Sequence, residues 1–273
     1  MATKNELWDT ETHADSLDYE SKQKKSRIRN RPLTQILFNL YKPGDKILDG
    51  GCATGGYYMV LNEQFPGIDY SGIDLTPAMI SRATKNYPGG KFKICSIAEI
   101  TYEDNTFDTV FSSDVRMHLN QENCDKSLTE LYRVSKKNLV LTTRLKEKGE
   151  EIVDITRSYQ TQESGHVEYN LFLLSKYIQD IKNLKPTPKK ITIVGEYNVP
   201  HYDVTLPNNE KNYIRADVTI EKGDGSTTET VVDIQIKNKF FSLLNEQSKI
   251  FVVKVLRKLG LKPTPQKMKK ELG

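Results

Sequence analysis

A turn rich in small residues follows the first apolar run of this chain. The run, KILDG, spans Lys46–Gly50, and the stretch GGCATGG continues from Gly50 to Gly56 behind the acidic side chain of Asp49. Small residues let a ligand touch the backbone, and the N–H groups at the start of a following helix can face a carboxylate or a phosphate. The stretch therefore predicts a ligand-binding turn of the nucleotide-loop type.

The spacing of the glycines excludes one class of ligand. A dinucleotide fold requires G-x-G-x-x-G directly after a strand. The windows that start at Gly50 and Gly51 instead present Cys52 and Ala53 as their third residue. The three cysteines of the chain lie far apart, without the spacing of metal ligands or of a redox pair. We therefore predict no metal site, and so sparse a set of cysteines indicates a reducing, cytoplasmic location.

The elements that must position this turn follow from the hydrophobic pattern. Short apolar runs alternate with amphipathic stretches between Lys46 and Thr142. This alternation predicts a parallel sheet with helices on both faces. In such a sheet, ligands bind at the carboxyl ends of the strands where the strand order reverses. The turn after Asp49 and the acidic residue Asp74, which ends the second strand, both lie at such ends.

The pattern changes after Thr143. Residues 146–166 are polar and read as a loop with a short helix, whereas residues 170–184 have helical periodicity. Two strand-like runs flank GDGST at 223–227 and predict a hairpin. Residues 241–260 predict a basic amphipathic helix that closes the chain.

The stretch ILDGGCATGG resembles the first motif of class I S-adenosylmethionine-dependent methyltransferases, an acidic residue followed by G-x-G-x-G. The match places Asp49, Gly51, Ala53 and Gly55 at the cofactor, with Ala53 where the family usually has glycine. Alanine is tolerated there unless its φ is positive. The resemblance implies a Rossmann-like, doubly wound, mostly parallel seven-stranded sheet, and S-adenosyl-L-methionine as the cofactor.

Later motifs extend the resemblance over residues 40–145. The stretch YSGIDL ends on Asp74, at the position of the family's acidic residue that holds the two ribose hydroxyls. A carboxylate suits that task because it can accept both hydrogen bonds. Members often have Asp-Ala at the adenine-contacting turn, where this chain has Ser-Ile. The further cofactor contacts that the resemblance implies are Leu75, Ser96, Ile97 and Ser113.

Methyl transfer needs the acceptor and the methyl in line, at about 3–3.5 Å, and a hydroxyl acceptor also needs a base. His118, which follows the fourth strand in SSDVRMHL, is the candidate catalytic base; the alternative is a structural histidine. In the same loop, Asp114 orients the acceptor or caps a helix, and Arg116 binds an acidic acceptor group or lies at the surface. His166 and Tyr169 follow the fifth strand, where the family tends to add substrate-contacting segments.

Three functions stay open at this point. The first is methyl transfer to oxygen or nitrogen of a small molecule or sugar. The second is methylation of RNA or another nucleic acid, because ten Lys or Arg and two Glu follow from Lys237 onward, a balance of +8 in a chain of net charge +4. A solvated helix face explains the same run. The third is a protein that binds S-adenosylmethionine without catalysis. The oligomeric state stays open.

The organisation of the chain is expected to be one domain with elaborations. No apolar run is long enough to cross a bilayer, and the polar, acidic first residues do not resemble a secretory signal. The expected segments are an N-terminal helical lid (residues 1–40), the cofactor-binding core (41–145) and a C-terminal half with substrate-shaping insertions and the basic helix (146–273).

Overall fold

The computed structural model describes residues 10–148, 152–159, 165–198 and 213–237, and at 152–159, 165–169 and 198 the backbone alone. These residues form a mixed sheet covered by helices. The strands are β1 (Lys46–Gly50), β2 (Asp69–Asp74), β3 (Lys91–Ile94), β4 (Phe107–Ser113), β5 (Ser135–Lys146), β6 (Ile152–Tyr159), β7 (Gly165–Leu173), β8 (Lys190–Asn198), β9 (Tyr213–Glu221) and β10 (Val231–Lys237).

Helices α4, α5 and α6 separate the first five strands, as the pattern between Lys46 and Thr142 predicts, except that β3 and β4 are joined by a loop. A single 3₁₀ turn, Arg116–His118, follows β4. The α-helices are α1 (Glu11–Gln23), α2 (Lys25–Arg29), α3 (Pro32–Leu40), α4 (Gly56–Gln64), α5 (Pro77–Asn86), α6 (Gln121–Val134) and α7 (Leu174–Lys182).

The strand order is β10-β8-β9-β5-β4-β1-β2-β3. β1 pairs in parallel with β2 on one side and with β4 on the other, and β3 and β5 extend these two directions in parallel. β9 is antiparallel to both β5 and β8. The chain therefore proceeds from β1 through β2 to β3 on one side. It then returns to β4 on the other side of β1 and continues to β5. This reversal places the ligand crevice at the carboxyl ends of β1 and β4.

The two faces of the sheet have separate apolar cores. Neighbouring side chains of a strand point to opposite faces, so Leu48 packs with α6 in one core while Ile47 packs with α3 and α4 in the other. Each face buries its own helices against the same strands. This sandwich holds the carboxyl ends of β1, β2 and β4 in fixed relative positions.

The segment after β5 differs from the prediction. Residues 152–159 form β6, which pairs antiparallel with β7, where a loop with a short helix is expected. The helix predicted over residues 170–184 starts only at Leu174, because β7 continues through Leu173 and joins β5 at the Leu145–Phe172 pair. An apolar run such as NLFLL fits a strand or a helix equally well by periodicity, and pairing with β5 decides between them.

The hairpin predicted around GDGST is wrong. β9 and β10 are not neighbours, because β8 lies between them, antiparallel to β9 and parallel to β10. The loop between them crosses the end of β8, where the Thr230 hydroxyl donates to the Pro188 carbonyl at 2.7 Å. A turn motif in the sequence indicates only that the chain bends. It does not show whether another strand lies between the two strands that it connects.

The N-terminal helices cover the turn that follows β1. Ala14 of α1 is buried against Ala78 and Met79 of α5. A Cβ on Gly56, the first residue of α4, would contact the side chains of Ser21 and Ile28. The predicted N-terminal helical segment is therefore present from Glu11 onward; its action as a lid stays a prediction. The predicted helix over residues 241–260 lies outside the described residues.

The glycine turn itself, residues 51–55, is built from left-handed backbone. φ is +85° at Gly51, +46° at Ala53 and +84° at Gly55. The N–H groups of Gly51 and Cys52 both donate to the Ile73 carbonyl, at 2.7 and 3.0 Å, which ties the turn to the end of β2. A Cβ on Gly51 would lie 2.3 Å from Cγ2 of Val115. The loop after β4 therefore lies directly on the turn, and only glycine allows this contact.

Replacing this glycine separates backbone strain from steric overlap. We expect Gly51→Ala to lower the free energy of unfolding by about 2–4 kcal/mol, because a left-handed alanine costs about 1 kcal/mol and the overlap with Val115 adds about 1–3 kcal/mol. Gly67→Ala is the control, since Gly67 has φ +78° and open space around it. Denaturant titration of both variants measures the difference. Equal losses would show that the contact with Val115 is unimportant.

Candidate active site

Asp74 fixes the geometry of the cofactor side of the crevice. Its two carboxylate oxygens accept the backbone N–H groups of Ala53 and Thr76, each at 3.0 Å. The side chain is half-buried, and each carboxylate oxygen has two acceptor directions. Asp74 therefore holds the glycine turn and still has the capacity to accept two hydroxyl groups. Leu75, which follows it, leaves 48% of its surface exposed at the same edge.

Ala53 departs from the family motif at a position where the departure has a cost. Its φ is +46°, so the condition under which alanine is unfavourable is met. A single left-handed non-glycine residue costs about 1–2 kcal/mol. The methyl group also makes a stabilising contact, because it packs against the cluster formed by Ala14, Ala78 and Met79. Contact with α1 and α5 offsets part of the strain that the alanine introduces.

Asp49 lies below the turn and not at its surface. The side chain is 1% exposed, and its carboxyl group accepts the hydroxyl of Tyr70 at 2.5 Å. Burial raises the pKa of Asp49 to about 7, opposed by the Tyr70 hydrogen bond and reinforced by the nearby charge of Asp74. In this structure, Asp49 supports the turn from inside the core. A direct contact with the cofactor stays a prediction.

The other predicted cofactor residues surround the same crevice. The Ser96 hydroxyl oxygen accepts the Ala98 N–H at 3.1 Å, which uses the side chain to shape its own turn. Ile97 is buried in the α6-side core, and its Cγ2 lies 3.2 Å from where a Cβ on Gly50, at the end of β1, would be. Ser113, at the end of β4, shares a hydrogen bond of 3.0 Å with the hydroxyl of Tyr57. Their contacts with a bound cofactor stay predictions.

A group of charged residues lies beside Ser113, and its three arginines are not identified from the sequence. Asp114 accepts Nη1 of Arg144 at 2.6 Å and Nη2 of Arg215 at 3.2 Å, and Nη1 of Arg31 lies 4.0 Å from the same carboxylate. Arg31 also donates to the hydroxyl of Tyr57 at 3.2 Å. The polar stretch within the buried strand β5, LTTRLK, is the signal that points to this group.

His118 lies on the 3₁₀ turn after β4 and is half-buried. Its backbone N–H donates to Val115 O at 2.9 Å, and Val115 is the residue that lies on Gly51. The neighbouring Leu119 carbonyl accepts Nδ2 of Asn170, on β7, at 2.6 Å. The structure thus places His118 in the loop that adjoins the glycine turn. Its role as a base stays a prediction.

Arg116 does not have the position expected of a substrate-binding residue. It is 5% exposed, and its guanidinium group donates to the Ser127 and Tyr177 hydroxyls and to the Cys124 carbonyl. The group also lies over the rings of Phe172 and Tyr177. Both alternatives considered from the sequence are therefore corrected. Arg116 is an interior residue that joins α6 to α7, because the 3₁₀ turn directs its side chain inward.

The two remaining candidates lie on β7. His166 pairs with Ser158 and Tyr169 pairs with Ile155 in the β6–β7 ribbon. Their side chains lie outside the described part of the structure, so their contact with substrate stays a prediction. No group of three or more His, Cys, Asp or Glu within the described ranges has metal-binding geometry.

The features of the crevice fit S-adenosylmethionine. The backbone of the turn is left-handed at Gly51 and Gly55, Asp74 has spare acceptor capacity for a ribose, and the exposed Leu75 offers an apolar surface for a purine. These three groups lie at the point where the strand order reverses. The residues that would hold the cofactor are therefore Gly51, Gly55, Asp74 and Leu75.

Comparison with known proteins agrees with this geometry. A family model described as a methyltransferase domain matches residues 41–199. The chain belongs to this family. Among solved structures, an S-adenosylmethionine-dependent methyltransferase from Methanosarcina mazei superposes with a TM-score of 0.54 at 15% identity, over 68% of this chain and 96% of the other. The resemblance to S-adenosylmethionine-dependent methyltransferases, the Rossmann-like α/β fold and the cofactor are thereby confirmed.

Relatives of higher identity match only part of this methyltransferase domain. Phosphoethanolamine N-methyltransferase 3 of Arabidopsis thaliana is 40% identical over 82 residues, 29% of this chain and 16% of the relative. The Plasmodium falciparum phosphoethanolamine N-methyltransferase is 31% identical over 91 residues, 32% of this chain and 34% of the relative. The Haemonchus contortus phosphoethanolamine N-methyltransferase 2, bound to phosphomonomethylethanolamine and S-adenosylhomocysteine, has a TM-score of 0.56 at 16% identity, covering 81% and 61%. The chain thus spans a small part of the plant relatives.

Within the described residues, no helix has the length and apolar content of a membrane span.

The raised pKa of Asp49 predicts a pH-dependent stability. Between about pH 4 and about pH 7 the carboxyl group keeps its proton when folded and loses it when unfolded. The contribution of this carboxyl group to the free energy of unfolding is therefore highest below this window and declines as the pH rises through it. We expect Asp49→Asn, which keeps an acceptor for Tyr70, to abolish this decline and to gain about 2–4 kcal/mol at pH 8.

Denaturant titrations at pH 4, 6 and 8 measure the effect. Asp69→Asn is the control, because Asp69 lies on the surface at the other end of β2 and pairs with Lys91. The same pH slope in wild type and Asp49→Asn would contradict the assignment.

Proposed function

We propose that this chain transfers a methyl group from S-adenosylmethionine to a nitrogen atom of a small molecule. The observation that carries the proposal is the meeting of two loops at the switch point of the sheet. The turn held by Asp74 forms one side of the crevice, and the loop with Asp114 and His118 forms the other. Val115 of the second loop contacts Gly51 of the first. Cofactor and acceptor residues are thus adjacent.

The choice of nitrogen and of a small acceptor rests on the relatives. The proteins named above are phosphoethanolamine N-methyltransferases. A further relative, a trans-aconitate 2-methyltransferase of Acidovorax ebreus, is 35% identical over 72 residues, 26% of this chain. Both kinds of name denote small acceptors that carry acidic groups. Methylation of oxygen is the less favoured alternative because the N-methyltransferases match over more residues and at higher identity.

Each residue has a distinct task in this proposal. S-adenosylmethionine supplies a methyl group activated by its sulfonium. Asp74 and the glycine turn hold the cofactor, and the loop after β4 orients the acceptor in line with it. An amine attacks only as the neutral species, so His118 takes the ammonium proton or orients the group that does. The helices α1 and α2 exclude water from the turn they cover.

The assignment of Asp74 is tested by cofactor affinity. We expect Asp74→Ala to weaken S-adenosylmethionine binding at least about 30-fold, because it removes two charge-assisted hydrogen bonds to hydroxyls and the support of the turn. Titration calorimetry measures the affinity. The control is Asp69→Ala, which removes a carboxylate from the opposite end of the same strand. Unchanged affinity in Asp74→Ala would contradict the proposed cofactor site.

The assignment of His118 is tested by turnover. We expect His118→Ala to lower kcat about 100-fold or more while cofactor affinity changes by less than about 3-fold, since general bases contribute about 10²–10⁴-fold. Rates of methyl transfer to phosphoethanolamine and to other small amines, measured against pH, supply the comparison. Lys126→Ala on the exposed face of α6 is the control. Wild-type turnover in His118→Ala would remove it as the base, and a protein that methylates RNA but no small amine would overturn the acceptor class.

A further inference from the structure

Three arginines converge on a single aspartate at the carboxyl edge of the sheet. The guanidinium groups of Arg31, Arg144 and Arg215 lie within 4.0 Å of the Asp114 carboxylate, and we refer to these four residues as the arginine cluster. They come from the residue before α3, from β5, from β9 and from the loop after β4. No two are near in sequence, so the fold alone creates this concentration of charge.

The pairing of β5 with β9 brings two of these charges face to face. Arg144 and Arg215 are directly opposite in the antiparallel register, an arrangement that like charges destabilise. Both lie on the face of the sheet that packs under α3, because Val140 of β5 belongs to that core and side chains alternate. Arg31 precedes α3 and reaches the same place. The fold thus brings three cations together on one face of the sheet. Their mutual repulsion does not stabilise the sheet.

Asp114 compensates only part of this charge. Its backbone is left-handed, with φ +60°, a conformation that aspartate adopts as a single residue. Burial would raise the pKa of Asp114, but the three arginines outweigh burial and hold the pKa below its usual value. Two pairs further along the ladder, and therefore on the same face, a second carboxylate, Asp217, accepts the Thr142 hydroxyl at 2.5 Å. Glu196, opposite Arg215 on β8, is exposed and forms no ion pair with it.

The cluster retains hydrogen-bond donors that Asp114 does not use. In the described part of the chain, Nε of Arg31 is buried without a hydrogen-bond partner. Arg215 directs a single hydrogen bond, from Nη2, to Asp114. Guanidinium groups bind carboxylate and phosphate oxygens through several parallel N–H bonds. An anion with two or three oxygens therefore finds both charge and donors here.

The cluster adjoins the reaction crevice. Asp114 directly precedes Val115, which lies on Gly51 of the cofactor turn. Arg31 is joined through the Tyr57 hydroxyl to Ser113 at the end of β4. A single acceptor molecule could thus place its acidic group at the arginines and its amine beside the loop after β4.

We infer that the arginine cluster is a subsite for an acidic group of the methyl acceptor, either a phosphate or a carboxylate. Asp114 occupies the guanidinium groups when no acidic group is bound, and it gives up part of these contacts when the acidic group binds. This inference rests on the function proposed above, and it adds that a neutral amine of the same size is a poor acceptor.

The direct test is the binding of inorganic phosphate to the full chain saturated with S-adenosylhomocysteine. We expect Arg215→Gln to weaken phosphate binding about 10-fold, the loss of one charge-assisted contact, while S-adenosylhomocysteine affinity changes by less than about 2-fold. Lys91→Gln, which removes a positive charge from the start of β3, is the control and is expected to bind phosphate like wild type. Equal phosphate affinity in Arg215→Gln and wild type overturns the inference.

A second variant is expected to change the phosphate affinity in the opposite direction. Tighter binding cannot result from misfolding. Asp114→Asn tolerates the left-handed backbone and removes the competing carboxylate, so we expect phosphate to bind about 10-fold more tightly. Weaker or unchanged binding in this variant overturns the inference. Competition by malonate, in parallel with phosphate, separates a carboxylate acceptor from a phosphate acceptor. Failure to bind S-adenosylhomocysteine would contradict the proposed function instead, and normal cofactor binding without any phosphate binding would contradict the subsite alone.

Discussion

The carboxylate of Asp74 is the contact on which the rest of the site depends. One oxygen accepts the N–H of Ala53 and the other the N–H of Thr76, so a single side chain joins the turn after β1 to the start of α5. The Ile73 carbonyl adds two more bonds to the same turn. Through these contacts, the end of β2 fixes the left-handed backbone of the turn. The loop after β4 can approach only because that backbone has this shape.

A second consequence of this arrangement is the crowding of acidic groups. Asp49 and Asp74 lie at the ends of adjacent parallel strands, and the charge of Asp74 contributes to the raised pKa of Asp49. Asp74 stays half-exposed and bonded to backbone donors, whereas Asp49 is buried against Tyr70. Two neighbouring carboxyl groups thus have different environments and different tasks. Asp74 keeps spare acceptor capacity at the surface, and burial favours the protonated form of Asp49.

Local sequence information predicts the cofactor half of this protein well. The alternation of strands and helices, the turn after Asp49 and the position of Asp74 depend on residues within a few positions of one another. Features that depend on distant pairing are not accessible in this way. The strand character of Asn170–Leu173 depends on contact with β5, and the separation of β9 from β10 depends on where β8 lies. The burial of Arg116 depends on α7, a helix far along the chain.

The acceptor half shows the same limit more strongly. Arg31, Arg144 and Arg215 are unremarkable surface-type residues in the sequence, and only the folded sheet makes them neighbours. The structure also shows which positions conflict with local preference. Among the described residues, the non-glycine residues with positive φ are Ala53, Asn105 and Asp114, and asparagine commonly adopts this conformation.

Aspartate shares this tolerance with asparagine, so Ala53 is the unfavourable case. Ala53 lies at the carboxyl edge of the sheet, as does Asp114 with the opposed pair of arginines beside it. Strain and like-charge repulsion reduce stability and persist where the surrounding structure enforces them. Because natural sequences otherwise agree with their local structure, such conflicts concentrate at functional sites. Here the conflicts and the crevice coincide. This edge is also the one to which the proposed function assigns the cofactor and the acceptor.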